Sequence, residues 1–270
     1  MPELDPRLVP DRERPGGWYI RVDNTDQSYI GADPTYLEFD YVQRIAEVID
    51  QAAPAGERLR AVHVGGAGMT LARYLATTRP TSAQIVLEPD AALTAAVREV
   101  APLPKHSGVK VRPVDGRAGL AAMPDDYADL LIVDAFAGAC VPGELATVEW
   151  FAECWRVLRP TGTLTMNLTD HAPFAWSRRC LAAALREGRT ATLAVESSTL
   201  KGRRFGNLIF AASSHLDVDY LRRHAAHAPF PFRILTGLDL THWLGGALPF
   251  TDSDTTDSSP PSDFSVSLLG

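Results

Sequence analysis

A chain of 270 residues with 46% hydrophobic and 22% charged content can bury one large core with a small appendage beside it. A formal net charge of −7 without any cluster of Lys and Arg excludes nucleic-acid binding, and no apolar run approaches the length of a membrane span. Cys140, Cys154 and Cys180 lack metal-type spacing, and the first residues lack the apolar centre of a signal peptide, so a metal-free cytoplasmic protein is expected.

Residues 1–15 are rich in Pro, Asp, Glu and Arg and are expected to form a flexible arm. Trp18–Val22, a turn at 23–26 and residues 27–30 have the pattern of a hairpin. After Pro34, the apolar residues Leu37, Tyr41, Ile45, Val48 and Ile49 recur at three- and four-residue steps, which predicts an amphipathic helix from Tyr36. Pro54 and Gly56 mark a linker, so residues 16–56 form a hairpin-and-helix extension ahead of a main domain at 57–250. From there strand and helix patterns alternate. Strands are expected at 59–64, 84–87, 109–114, 130–133, 163–168, Thr190–Glu196 and 206–212, with helices at Ala91–Val100, 149–158 and 172–187. The alternation predicts an α/β fold with a doubly wound, mostly parallel, seven-stranded Rossmann-like sheet. Val218, Leu221 and Arg222 suggest one more helix, residues 230–240 suggest a further edge element, and the polar tail at 251–270 reads as disordered.

Residues 59–75 read LRAVHVGGAGMTLARYL, a short apolar strand, a turn with Gly65, Gly66 and Gly68, and a helical pattern after it. Such a turn lets backbone approach a ligand where a Cβ would clash, and it aims helix N–H groups at that ligand. Glu88 ends the next strand, twenty residues after Gly68, where a carboxylate can accept hydrogen bonds from both hydroxyls of a ribose. Leu71 stands where a dinucleotide fingerprint would place its third glycine, which argues against NAD. Asp115-Gly116, Asp134 and Asn167 end later strands, the edge at which open α/β sheets bind ligands.

Other polar and aromatic residues have simpler readings. His63 lies inside the first strand of the main domain and is expected to be a satisfied core histidine. Asp170 is expected to cap the helix that follows, and Cys140 to be a packed thiol. Trp150, Phe151 and Trp155 fall at core spacing on one helix, Trp176 either walls the pocket or packs, and residues 201–204 form a solvated basic turn.

Taken together, the glycine turn, Glu88, Asp115-Gly116 and Asp134 resemble the spermidine synthase family, whose aminopropyltransferases have the class I methyltransferase fold. The resemblance runs from about Trp18 to about Ala212. The chain is also similar to actinobacterial spermidine-synthase-like proteins in Gln27-Ser28, in LEFDYV at 37–42 and in VDAF at 133–136. The resemblance implies a homodimer that binds S-adenosylmethionine or its decarboxylated form, uses no metal and acts on a small-molecule acceptor. It implies that Gly65, Gly66 and Gly68 line the amino-acid part of that nucleoside. By the same carry-over Glu88 holds the ribose, Asp115 and Gly116 meet the adenine, and Asp134 faces the sulfonium and takes the acceptor's proton. Gln27 and Tyr41 match the Gln and Tyr that the family's N-terminal domain carries.

Three departures from the family pattern bear on the acceptor. Gly68 stands where the glycine loop usually holds an aspartate, Ala137 replaces the second aspartate of DSSDP, and Val42 replaces the Gln after the Tyr. A multiply charged amine would lose anionic partners, and burying an ammonium without one costs several kcal/mol, on the order of what a broken buried ion pair costs. The pattern therefore favours methyl transfer to a less cationic acceptor over aminopropyl transfer to a polyamine. In a true aminopropyltransferase the amine contacts would come from Glu38, Asp40, Glu144 or Asp170. A non-catalytic nucleoside-binding homologue is the third reading.

Overall fold

The computed structural model describes residues 4–22, 25–66 and 68–261. Strands β1 (Leu8–Pro10), β2 (Trp18–Val22) and β3 (Thr25–Ile30) form a small antiparallel sheet, with a bulge between Ile20 and Arg21. Helix α1 (Asp40–Ala52) leads into the main sheet. There β4 (Arg60–Val64), α2 (Thr70–Thr78), β5 (Ala83–Leu87), α3 (Ala91–Val100), β6 (Val109–Arg112), α4 (Gly116–Ala121) and β7 (Ala128–Val133) alternate. Helix α5 (Val148–Val157), β8 (Leu158–Asp170), α6 (Ala175–Ala184), β9 (Thr190–Glu196), α7 (Ser197–Leu200) and β10 (Gly206–Ser213) follow, then α8 (Val218–His227), β11 (Phe232–Thr236) and α9 (Gly237–Leu244).

The main sheet has the order β11-β9-β10-β8-β7-β4-β5-β6. Strands β4 to β8 pair in parallel, whereas β10 runs antiparallel to both β8 and β9. The fold is thus the expected α/β class, its eighth strand lying in the edge element expected at 230–240. That strand, β11, pairs antiparallel with β9 along Phe232↔Glu196 to Thr236↔Thr192. Its sequence FRILT is too short for periodicity to separate it from the helix that follows.

Burial obeys the two-residue period of a strand. On β7, Leu131 and Val133 enter the core beneath α5 and α6, and Leu130 and Ile132 enter the core beneath α1 and α2. β8 does the same with Leu164, Met166 and Leu168 on the first face, which turns Thr165 and Asn167 toward the second. Trp150, Phe151 and Trp155 pack in the first core, and His63 is buried with Nε2 2.9 Å from Gln84 Oε1. Burial pulls the His63 imidazole down to about 4, so it stays neutral.

Both ends of the chain differ from expectation. In the arm, Leu8–Pro10 pairs with β2, Arg7 bonds Asp5 and Asp90, and Tyr29 Oη donates to Asp11, so residues 4–15 are seated by charge and backbone pairing; residues 1–3 lie outside the described ones. In the tail, Arg117 bonds Asp252 at 2.5 Å, Arg179 pairs with Asp254, and Ser258 is buried with its hydroxyl accepting the Val141 N–H. Residues 251–261 are therefore ordered, because acids that read as a solvated run each meet an arginine or a backbone N–H; residues 262–270 lie outside the described ones. The hairpin turn at 23 and 24 also lies outside them.

Helix α1 begins at Asp40, four residues later than predicted. Asp33 Oδ1 accepts the Thr35 N–H and hydroxyl, and Asp33 O accepts the Tyr36 N–H, so a side-chain-capped turn occupies the segment after Pro34. The far end of α1 depends on Arg79, which is 1% exposed at the end of α2. Its guanidinium donates to Ala53 O at 2.7 Å, to Asp50 O at 3.2 Å and to Asp50 Oδ1 at 3.1 Å, covering carbonyls that α1 leaves open. Arg79→Ala should destabilise the protein by about 3 kcal/mol, read as a lower urea midpoint, and Arg79→Lys should recover only part because an ammonium cannot span all three acceptors.

Candidate functional site

The C-terminal ends of β4, β5, β7 and β8 and the start of β10 surround a cavity of about 600 Å³, a volume within the range of small-molecule sites. The N-terminal sheet, the start of α1 and the loop after β7 complete its walls. Gln27, Tyr41, Gly65, Gly66, Gly68, Glu88, Asp115, Gly116 and Asp134 all border it.

At the centre, the turn after β4 lies against the end of β7. Asp134 donates its N–H to Val64 O at 2.9 Å, and a Cβ on Gly65, where φ is +80°, would meet Asp134 O at 2.3 Å. Only glycine allows that approach. Gly68 has a different reason: a Cβ there would lie 2.6 Å from Ser28 Oγ and 3.0 Å from Ile20 Cδ1. The N-terminal sheet therefore occupies the space into which a side chain at position 68 would project, and Ser28 Oγ is 3.1 Å from Thr70 Oγ1.

One end of the cavity carries Glu88 and Asp115. Glu88 is buried, and its Oε1 accepts the Asp90 N–H at 2.9 Å, which fixes the carboxylate at the tip of β5. Asp115 Oδ1 accepts the Ala118 N–H at 2.8 Å, so the residue caps α4 as well as walling the cavity.

Asp134 sits between that end and the α1 side. Asn167 Nδ2 donates to Asp134 Oδ1 at 2.9 Å, and Asn207 Nδ2 donates to Asn167 Oδ1 at 3.0 Å. Removal from water raises the Asp134 carboxyl to about 6, against the opposing pull of the Asn167 bond. Tyr41 Oη donates to Gln27 O at 3.0 Å, and burial, then the Asp134 charge, push the phenol well above its ordinary value. Gln27 Nε2 in turn donates to Gly138 O at 3.0 Å, tying the N-terminal sheet to the loop after β7.

Of the four acids named as alternative amine contacts, Glu144 borders the cavity. Glu38 is engaged by Arg14, Tyr19 and Tyr36, and Asp170 accepts from Ser177. Asp170 thus serves α6 from outside, through the Ser177 N–H and hydroxyl, while Phe174 holds the cap position. Trp176 packs on Phe250 and donates to Thr256 O, away from the cavity. Asp26 also borders the cavity and is paired with Arg21. The sequence reading missed Asn207 and Ser28. Asn207 starts an antiparallel strand, so a rule about C-terminal strand ends passes it by. Among the described residues no group of His, Cys, Asp and Glu is arranged to hold a metal ion.

The structure matches a probable spermidine synthase of Corynebacterium glutamicum with a TM-score of 0.84, at 30% identity over 94% of this chain and 95% of that one. The chain belongs to the spermidine synthase family. The spermidine synthase of Thermotoga maritima shares its fold at a TM-score of 0.52 and 14% identity, over 90% of this chain and 80% of that one. Human methyltransferase-like protein 13, solved in complex with SAH, shares it at a TM-score of 0.53 and 16% identity, over 79% of this chain and 95% of that one. The eight-stranded sheet is therefore a class I methyltransferase fold with a small antiparallel sheet before it. No family model matches the chain, and no curated protein matches it.

The three positions at which the expected family residues are missing, Gly68, Ala137 and the buried Val42, all border the cavity. Its Asp134 is also costly to the fold. A carboxyl raised from 3.8 to about 6 is protonated in both states below about pH 4, and the folded state loses stability as pH rises from there through about 6. Asp134→Asn should therefore raise Tm at pH 7.5, by the equivalent of roughly 1–3 kcal/mol, and leave it nearly unchanged at pH 4 in a thermal melt series.

Proposed function

We propose that the protein is an alkyltransferase that holds an S-adenosyl sulfonium in this cavity and transfers its methyl group to a small acceptor, with Asp134 as the base. The carrying observation is convergence: the side-chain-free turn at Gly65 and Gly66, Glu88, Asp115 and the raised Asp134 carboxyl all border one cavity of about 600 Å³. The donor fits that set. The glycine turn offers backbone at close range, Glu88 can accept from the ribose hydroxyls, and Asp115 can accept from the adenine amino group.

Bound there, the sulfonium supplies an electrophilic carbon with a neutral thioether as leaving group. Asp134 orients the acceptor by accepting its N–H or O–H hydrogen bond, then takes that proton as the acceptor's lone pair forms the new bond to carbon and the C–S pair stays with sulfur. Protonation near pH 6 matches this task, because the carboxylate is ionised at neutral pH yet basic enough to hold a proton. Proximity in the walled cavity supplies much of the remaining rate.

Methyl is favoured over aminopropyl because no acid stands at Gly68 to pair with the amine of a decarboxylated donor or to repel the carboxylate of an intact one. Ala137 likewise offers no anion to a diamine. Aminopropyl transfer is the second reading, supported by family membership and by Glu144, which borders the same cavity.

Calorimetric titration separates the readings. S-adenosylmethionine should bind at least as tightly as its decarboxylated form, and Glu88→Gln should weaken both, together with methylthioadenosine, by roughly tenfold or more. A clear preference for the decarboxylated ligand would instead favour aminopropyl transfer, nucleoside binding without turnover would leave a non-catalytic nucleoside-binding homologue, and no nucleoside binding would overturn the donor site. Asp134→Asn should abolish turnover with donor affinity nearly intact. Ala137→Asp, at an exposed position, should raise the affinity for a diamine acceptor, whereas Gly68→Asp should leave that affinity nearly unchanged, because an acid there would face the donor's amine.

A further inference from the structure

Asn167 and Asn207 stand behind Asp134 on neighbouring antiparallel strands. The register of β8 and β10 pairs Asn167 with Ile209 and Asn207 with Thr169, so the two asparagines are diagonal neighbours on one face of the sheet. An asparagine amide carries an acceptor at one end and two donors at the other, and a half-turn exchanges them. In Asn167 the acceptor end takes the Asn207 amide hydrogen at 3.0 Å, which leaves the donor end toward Asp134 at 2.9 Å. Turned over, Asn167 would set its carbonyl oxygen against the carboxylate and its NH₂ against the NH₂ of Asn207. With Asn207 left as it is, two attractive contacts would become two repulsive ones.

We propose that Asn207 is a positioning residue for Asp134, locking the Asn167 amide so that it donates to Oδ1 and leaves Oδ2 to take the acceptor's proton. The inference rests on the reading of Asp134 as base. Other elements around the carboxylate do not supply the same restraint. From α1, Tyr41 gives its hydroxyl to Gln27 O, and on β4 His63 is held by Gln84. Glu88, Asp115, Glu144 and the Arg21-paired Asp26 border the cavity as acceptors, and the Asp134 charge adds to burial in raising the Tyr41 phenol. Among the described residues, Asn167 is the side chain that donates to Asp134, and Asn207 is the side chain that donates to Asn167. Both asparagines sit on paired strands, which hold a side-chain relay more firmly than loops do.

The test titrates the Asp134 carboxyl by ¹³C NMR in the wild type, Asn207→Leu, Asn167→Ala and the double variant, without donor or acceptor. Asn207→Leu should raise the Asp134 midpoint by roughly half to one pH unit, since a freely turning Asn167 donates only part of the time. Asn167→Ala should raise it at least as far, and adding Asn207→Leu to Asn167→Ala should give no further shift. In a turnover assay the acidic limb of the kcat profile should move by the same amount in Asn207→Leu, with donor affinity unchanged. A wild-type midpoint in Asn207→Leu, or a full shift persisting on the Asn167→Ala background, would overturn the relay. If leucine prevents folding, Asn207→Ala gives the same readout. Because the titration needs no ligand, absence of turnover in every form would count against the proposed reaction while leaving this result readable.

Discussion

Where β4 and β7 run side by side, Val64 O receives the Asp134 N–H, and Gly65 occupies a position at which a Cβ would collide with Asp134 O. Parallel pairing in register from Ala61↔Leu130 to Val64↔Val133 brings the two strand ends level, so the glycine turn and the carboxylate face the same space. The other site residues are placed relative to that contact: Glu88 one strand further along at β5, and Asn167 one strand the other way at β8. A turn with a side chain at 65 would push the two strands apart and dissolve the arrangement.

The arrangement is costly to the fold. Asp134 is held with its carboxyl raised to about 6, and Met69, just after the glycines, adopts a left-handed backbone with φ of 51° before α2 begins. Such groups persist only where surrounding structure holds them. Here the hold comes from elements far away in sequence. The loop after β7 receives the Gln27 amide on Gly138 O, the Ser258 hydroxyl accepts from Val141, and Asp257 accepts the Gly143 N–H at 2.8 Å. Both termini thus brace the loop that follows the central carboxylate.

The two positions without an expected acid differ in their surroundings. Ser28 and Ile20 from β3 and β2 fill the space beside Gly68, so a side chain there would require the Ser28 hydroxyl and the Ile20 side chain to shift. Position 137 is different, because Ala137 lies exposed on a short bridge with Cys140 and has room for an acid. The asparagine pair behind Asp134 adds polarity without charge on the α1 side of the cavity.

The amino-acid sequence by itself determined the alternation of strands and helices, the glycine turn, and the acids at the ends of β5 and β7, since each is written in neighbouring residues. It also set the paired faces of the central strands, because alternate residues of a twofold-buried strand meet different cores. Only the tertiary structure decided that β10 runs backward, which brings Asn207 rather than a strand's end to the site, and that the edge strand β11 pairs antiparallel with β9. It also decided that the acidic tail and the proline-rich arm are seated. Their partners, Arg117 and Arg179 for the tail and Asp90 for the arm, lie 75 or more residues away in sequence. Local periodicity carries no information about strand direction or about a charge pair closed over such a loop, so those features exist only once the chain has folded.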